Sequence, residues 1–431
     1  MELNGKKLDQ WIIVDAHNDT MMKVVNPENY APSVDIGQST DFHIDLPKMR
    51  AGNVKIAYFA AYTSDHGSFE KNNNMILASI NALQFTEKNN NETFCVATSY
   101  SDIEKAIQTD QRIGIQTIEG AYAFTDSNMI HLLQQYADLG VKVIAPVWNF
   151  SNSIGEGTLA QYVDGSPSHG GLTNLGRTFI STMNERGIVI DVSHMNERTF
   201  WDVIHLSKMP VIASHSGANV IKPHVRNLTD EQLKAIAEKD GVINVVFCRY
   251  FIGDENAGIS ELVDHIDHIV RTVGIRHVGL GSDFDGATMP VDLQDISQMD
   301  KLIETLVNRG YQNEDIGLIL GGNNLRVLKC HDKLHQTTGK LNVTLTNEET
   351  QEFYRILLPI EDEVLEISQS SSTNINGIFD GILKPIKWRS DSNCLEMILE
   401  KPILEPYHVV TFELNTPDGV RYFCTRVVEL R

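Results

Sequence analysis

Three histidines and several carboxylates stand where apolar runs of this chain end, and that shared placement is what suggests chemistry. The runs end in Asp15-Ala16-His17-Asn18-Asp19, Glu119-Gly120-Ala121, Asp191-Val192-Ser193-His194, Ser214-His215-Ser216 and Gly281-Ser282-Asp283-Phe284-Asp285-Gly286. Neutral imidazole and carboxylate are the donors that zinc and similar divalent ions prefer. In an extended segment residues i and i+2 point to one side, so His17 and Asp19 can grip one ion together. His194 and His215 suit a second ion, and Glu119 can place one oxygen on each. Two ions about 3.5–4 Å apart acidify a bridging water into a nucleophile at neutral pH. Singly, each residue has a plainer explanation: a histidine after a strand is more often a hydrogen-bonded core or surface group, and GSDFDG reads as a turn. Their coincidence at strand ends carries the weight. His169 and His224 also fall in candidate loops after strands, but nothing in their spacing separates a pocket from a solvated loop.

Eight short apolar runs position these groups: Ile12–Asp15, Val54–Ala61, Ile113–Ile118, Val141–Val147, Ile188–Val192, Val211–Ala213, Val242–Phe247 and His277–Gly281. Runs without polar alternation suit strands buried on both faces, as in a parallel sheet. Helical patterns lie between them at Asn74–Glu87, Ile130–Leu139, Leu175–Arg186, Arg198–Ser207, Asp230–Glu238 and Ser260–Val273. This alternation predicts an α/β fold, a (β/α)8 TIM barrel whose functional groups gather at the C-terminal ends of its strands. The Gly- and Ser-rich connection from Asn149 to Thr173 reads as an active-site loop.

From about Leu341 the pattern changes. Strand candidates at Leu341–Thr346, Arg355–Pro359, Leu365–Ser368, Leu395–Glu400, His408–Glu413 and Tyr422–Val428 alternate with turn-prone segments such as Ser370–Gly377, and one short helix is expected at Asn347–Tyr354. The expected organisation is a barrel domain over residues 1–338 and a small all-β domain over 339–431, a sandwich or open barrel. That second region could serve oligomer contacts (a homodimer among them), cover the barrel bottom or bind a partner.

The 431 residues carry a formal charge of −21, which makes nucleic acid and anionic membrane poor partners. Five scattered cysteines without CxxC spacing read as free thiols of a reducing compartment. The N-terminal stretch lacks the apolar run of a secretory signal, and no stretch reaches the roughly 18 apolar residues of a membrane helix. A cytoplasmic enzyme is expected.

With these residues in view, the sequence resembles the membrane (renal) dipeptidase family, peptidase family M19 of the amidohydrolase superfamily, over Ile12 to Leu328. Its markers are VDAHND (Val14–Asp19), IEGA (Ile118–Ala121), the segment Gly171–His194 ending in DVSH, SHSGANVIKPHVRN (Ser214–Asn227), GLGSDFDG (Gly279–Gly286) and GGNNLRVL (Gly321–Leu328). The resemblance implies that His17 and Asp19 bind one zinc, His194 and His215 the other, and Glu119 both. It implies that Arg226 holds the terminal carboxylate of a small dipeptide, for which a guanidinium fork is suited, and that Asp283 is the general acid/base. Asp285 is expected to shape its loop. Better-known members have a substrate-contacting histidine after the fourth strand; here Trp148 stands in its place, and Trp148 or Asn149 would shape the pocket. The implied reaction is hydrolysis of dipeptides, L-D dipeptides among them, by a metal-bridging hydroxide. Two alternatives stay open: lactone or cyclic-amide hydrolysis on the same site, and a catalytically silent metal-binding barrel.

Overall fold

The eight apolar runs all become strands of one parallel sheet: β1 (Ile13–Asn18), β2 (Val54–Tyr62), β3 (Arg112–Glu119), β4 (Val141–Ala145), β5 (Val189–Asp191), β6 (Val211–Ser216), β7 (Val242–Val246) and β8 (Val278–Gly281). The computed structural model describes residues 2–3, 6–7, 11–64, 67–160, 170–332, 338–341, 343–359, 374–389 and 391–430. The strands pair in sequence order from β1 to β8, and a short strand at Phe94–Val96 adds to β3. The last strand returns to the first: Asp283 N–H donates to His17 C=O (3.1 Å) and Asp19 N–H to Phe284 C=O (2.9 Å). Buried Asp15 fastens the same seam, accepting from the backbone N–H and hydroxyl of Ser282 at 2.7 and 3.0 Å. The result is a nearly closed (β/α)8 barrel.

Each of the six helices predicted between the barrel strands is present, with ends set by local chemistry. Ser68, Thr173 and Asn196 cap their helices by accepting a backbone N–H, and Thr229 with Gln232 forms a reciprocal capping box at Asp230–Glu238. Two apolar layers result. Val14, Ala16, Ile56, Ile113, Ile115, Val189, Ile212 and Val242 fill the barrel interior, and Ile103, Ala106, Val327 and Leu328 from helices Tyr100–Ile107 and Asn323–Asp332 join the same cluster. A larger layer lies between strands and helices.

Strict alternation would point His17 and His215 away from that interior, because Val14, Ala16 and Ile212 already point into it. Each strand corrects this with one extra residue. On β1 the step from Asp15 to Asn18 pairs with the shorter step from Ala57 to Phe59; on β6 the step from Ala213 to Ser216 pairs with Ile243 to Val245. Such bulges re-aim the side chains beyond them, and both histidines turn into the barrel mouth.

Beyond the barrel, the described residues form nine strands in two sheets: β9 (Thr338–Lys340), β10 (Thr346–Glu349), β11 (Phe353–Pro359), β12 (Asn374–Phe379), β13 (Ile382–Lys384), β14 (Ile386–Arg389), β15 (Cys394–Glu400), β16 (Tyr407–Asn415) and β17 (Arg421–Glu429). One sheet has the order β9-β17-β16-β12-β13 and the other β10-β11-β15-β14. Ile356, Leu358, Leu395 and Met397 of one meet Val410, Phe412, Leu414 and Cys424 of the other in a shared core, so the sandwich is the observed form.

Several expectations for this region are corrected. No helix forms at Asn347–Tyr354; β10 pairs antiparallel with β11 from Thr346↔Leu357 to Glu349↔Tyr354 as a tight hairpin. Thr346–Glu349 is exposed throughout, and burial begins at Tyr354, Ile356 and Leu358 at a spacing of two, so 347–354 presents no apolar face for a helix to bury. The strand expected at Leu341–Thr346 is replaced by β9 before it and β10 after it. The one at Leu365–Ser368 lies outside the described residues. Among the described residues the sandwich packs against α1 (Phe69–Asn89) and α2 (Met129–Asp138), where Arg421 grips Asp138 at 2.8 and 2.7 Å and Gln135 bonds Thr411 and Gly381.

Candidate metal centre

All nine residues singled out from the sequence reach the C-terminal mouth of the barrel. Asp19, Glu119, Trp148, Asn149, His194, His215, Arg226 and Asp283 line one cleft of about 520 Å³, and His17 lies buried at its floor. Three imidazoles converge on one oxygen of Glu119: Oε1 is 2.8 Å from His194 Nε2, 3.4 Å from His215 Nε2 and 3.7 Å from His17 Nε2. His17 Nε2 is also 3.7 Å from Asp19 Oδ2, and its ring stacks on His215 at 3.8 Å. Donor atoms of His17, Glu119 and His215 form one close set; those of His17, Asp19 and Asp283 form a second.

Asn149, and two residues outside the sequence-derived set, Asp191 and Ser214, orient these donors. His194 Nδ1 meets Asn149 Oδ1 at 2.8 Å. His215 Nδ1 meets Ser214 Oγ at 2.7 Å, and that hydroxyl donates to Asp191 Oδ2 at 2.5 Å. Both contacts require N–H at Nδ1, because an amide oxygen and a hydroxyl whose proton is committed elsewhere can only accept. Both histidines therefore present an Nε2 lone pair to the mouth. Asp191 and Ser214 carry no sequence signal beyond standing beside a histidine at a strand end.

The backbone is specialised here too. His194 and Asp283 adopt left-handed conformations, φ 68° and 63°, which non-glycine residues hold only where surrounding contacts impose them. Gly286 allows the eighth loop to close, since a Cβ there would lie 2.0 Å from Asp19 Oδ2. Asp285 shapes that loop, accepting from Thr20 Oγ1, Lys23 Nζ and the His43 backbone.

The electrostatics are those of a cation site. Burial holds His194 and His215 well below the usual histidine range, with the Arg226 and His17 charges adding to the effect. Burial opposes charge on His17 as well, but Glu119, Asp19 and Asp283 outweigh it and raise the imidazole to about 10. Burial, then the Asp19 carboxylate, raises Glu119 well above its ordinary value. The same two causes lift Asp283 to about 6 against His17 and Arg226. His17 Nε2 and Asp19 Oδ1 are buried without a hydrogen-bond partner among the described residues. Converging lone pairs, clustered carboxylates and two orphaned donor atoms fit divalent cations, which would take the place of the proton drawn to His17.

Around the donors the cleft is amphipathic. Arg226 is buried; Nη2 donates to His215 C=O at 3.2 Å, while Nε has no partner among the described residues. Its guanidinium lies 5.8 Å from the Phe251 ring, on which His224 also stacks. His224 thus belongs to the cleft lining, and His169 lies outside the described residues. Trp148 meets Tyr62 edge to face at 5.1 Å and Phe150 at 5.5 Å.

The chain has known relatives. Residues 6–341 match the membrane dipeptidase family, peptidase family M19. The chain belongs to that family. An uncharacterized dipeptidase of Schizosaccharomyces pombe is 32% identical over 336 residues, covering 74% of this chain and 80% of the relative. An uncharacterized protein from the pqqA 5′ region of Klebsiella pneumoniae is 40% identical over 237 residues, 54% of this chain and 86% of its own length. Among solved M19-like structures, a metallopeptidase of Rhodobacter sphaeroides carrying a phosphinate mimic of the dipeptide L-Ala-D-Ala superposes with a TM-score of 0.67 at 28% identity, covering 74% of this chain and 99% of that one. PvdM of Pseudomonas aeruginosa, a probable dipeptidase at 22% identity and TM-score 0.69, shares the fold. The family match ends at residue 341, so most of the sandwich lies beyond it.

Proposed function

We propose that this M19 hydrolase is a dipeptidase holding two divalent cations, zinc by donor chemistry, between His17, Asp19, Glu119, His194 and His215. The observation that carries the reading is one cleft that brings His194, His215, Asp19, Glu119 and Asp283, over buried His17, to a buried arginine with an unfilled donor. Bound cations would acidify a water and polarise the scissile carbonyl. The chain supplies the rest. Arg226 takes the substrate carboxylate on its free guanidinium edge. Asp283, with its carboxyl at about 6, accepts the proton of the attacking water and returns it to the leaving amide nitrogen. Asn149 and the Asp191–Ser214 pair hold His194 and His215 in register. Water adds across the C–N bond, and two amino acids leave.

L-D dipeptides belong to the proposed range, because the Rhodobacter sphaeroides relative accommodates an L-Ala-D-Ala mimic. Arg226 favours a carboxylate-bearing substrate over neutral lactones. Five free thiols support a reducing compartment, the cytoplasm, and no helix among the described residues is long and apolar enough to cross a membrane. The test is a panel of L-L and L-D dipeptides assayed for released amino acids with zinc and after chelation. Turnover that persists unchanged without metal, or neutral lactones outrunning every dipeptide, would count against the proposal.

A further inference from the structure

We propose that Tyr62 and Trp148 form the subsite for the substrate's N-terminal side chain, making large apolar first residues, aromatic ones above all, the preferred class. This rests on the dipeptidase reading, with the carboxylate on Arg226. Strand order supplies the geometry. Tyr62 ends β2 and Trp148 follows β4 by three residues, whereas Arg226 follows β6 and Phe251 follows β7. In a barrel ordered β1 to β8, strands 2–4 stand across the mouth from strands 6–8. A dipeptide anchored on Arg226 and passing its central amide over Glu119 and the histidines must send its first residue toward the β2–β4 side.

What waits there is aromatic. Trp148 packs edge to face on Tyr62 (5.1 Å, 80°), is braced behind by Phe150 (5.5 Å, 71°) and tilts over His194 at 5.9 Å. Tyr62 and Trp148 are both half-buried and both line the cleft. The indole offers a broad apolar face. Leu159 continues that surface. An aromatic or long aliphatic side chain would bury against this wall, while alanine would leave it wet. Discrimination by an apolar pocket is on the order of tenfold or more.

The test measures kcat/KM of the zinc-loaded full chain on Ala-Ala, Phe-Ala and Ala-Phe, for the wild type, Trp148→Ala, Tyr62→Ala and Trp148→Phe. Phe-Ala should exceed Ala-Ala by about tenfold. That ratio should fall towards one in both alanine variants and recover in Trp148→Phe, while the Ala-Phe to Ala-Ala ratio holds. Each ratio is taken within one preparation, so a misfolded fraction cancels. A wild-type ratio of one or less, or a ratio that neither alanine variant moves, overturns the subsite. If the wild type cleaves none of the three, the dipeptidase reading fails separately. The subsite is then decided by calorimetry with phosphinate mimics of Phe-Ala and Ala-Ala, and no tighter binding of the Phe mimic overturns it.

Discussion

His194 and His215 face each other through Nε2 atoms 2.8 Å apart, with both Nδ1 atoms already engaged, by Asn149 and Ser214 respectively. Two lone pairs so close repel unless a cation lies between or beside them. The chain sustains this only because the surrounding contacts fix each ring, including a bulge in β6 and a left-handed backbone at His194. The outer partners are therefore as informative as the donors.

Asn149 gives the sharpest test of that view. Removing its amide in Asn149→Leu frees the His194 ring to rotate and to change tautomer. Metal affinity is expected to fall about 10- to 100-fold, the usual effect of losing an orienting partner, with little change in thermal stability of the metal-free protein. Competition with a chromogenic chelator reads this directly, and unaltered affinity would leave Asn149 as a lining residue only.

Asp283 is placed to serve in either of two ways, as proton carrier or as a further donor beside His17 and Asp19. Asp283→Asn keeps the shape and removes the titration. If the carboxylate moves protons, turnover drops at least 100-fold while two equivalents of zinc remain by elemental analysis. Loss of one equivalent would instead make Asp283 a ligand.

Arg226→Ala should raise KM for dipeptides and lower kcat/KM about 100-fold, from one or two lost charge-assisted hydrogen bonds. Arg226→Lys should recover part of this, since charge survives but the fork does not. Dipeptide amides, lacking the carboxylate, should respond much less. Equal losses on both substrates would mean that Arg226 acts through its bond to the His215 carbonyl.

The barrel strands were legible because strands buried on both faces leave uninterrupted apolar runs, and the groups at their ends follow from the fold. The path to His17 was not. Spacing put His17 and Asp19 on one side of an extended strand, whereas the structure reaches the same convergence through a bulge, with Asp19 already at a helix N-terminus. Bulges in β1 and β6 leave no mark in composition. Asp191 and Ser214 were invisible for a different reason, since their work depends on a neighbour in space rather than in sequence. In the sandwich, β12 was hidden by Asn374, Asn376 and Gly377, which look turn-prone. Gly377 lies where the sheets approach, its Cα side facing the Met397 and Ile386 side chains of the opposite sheet.

A last prediction concerns the seam between barrel and sandwich. His408 Nδ1 lies 2.6 Å from Asp380 Oδ2 and its Nε2 2.6 Å from the Glu405 carbonyl. Both neighbours are acceptors, so both nitrogens must donate and the ring is an imidazolium. Asp380 in turn accepts from Asn73 on α1, which ties this charge to the barrel. Burial opposes the proton, but Asp380 and Glu405 outweigh it and raise His408 above the ordinary histidine value. A raised folded-state pKa stabilises fully below the unfolded value near 6.5 and is lost as pH climbs through the folded value. Stability should therefore decline on the alkaline side, by about 2 kcal/mol from the charged hydrogen bonds. His408→Gln should lower stability at pH 6 and flatten that decline. Urea unfolding from pH 6 to 10, followed by a probe on the Trp388-bearing sandwich, measures both, and parallel profiles for wild type and variant would remove His408 from the seam.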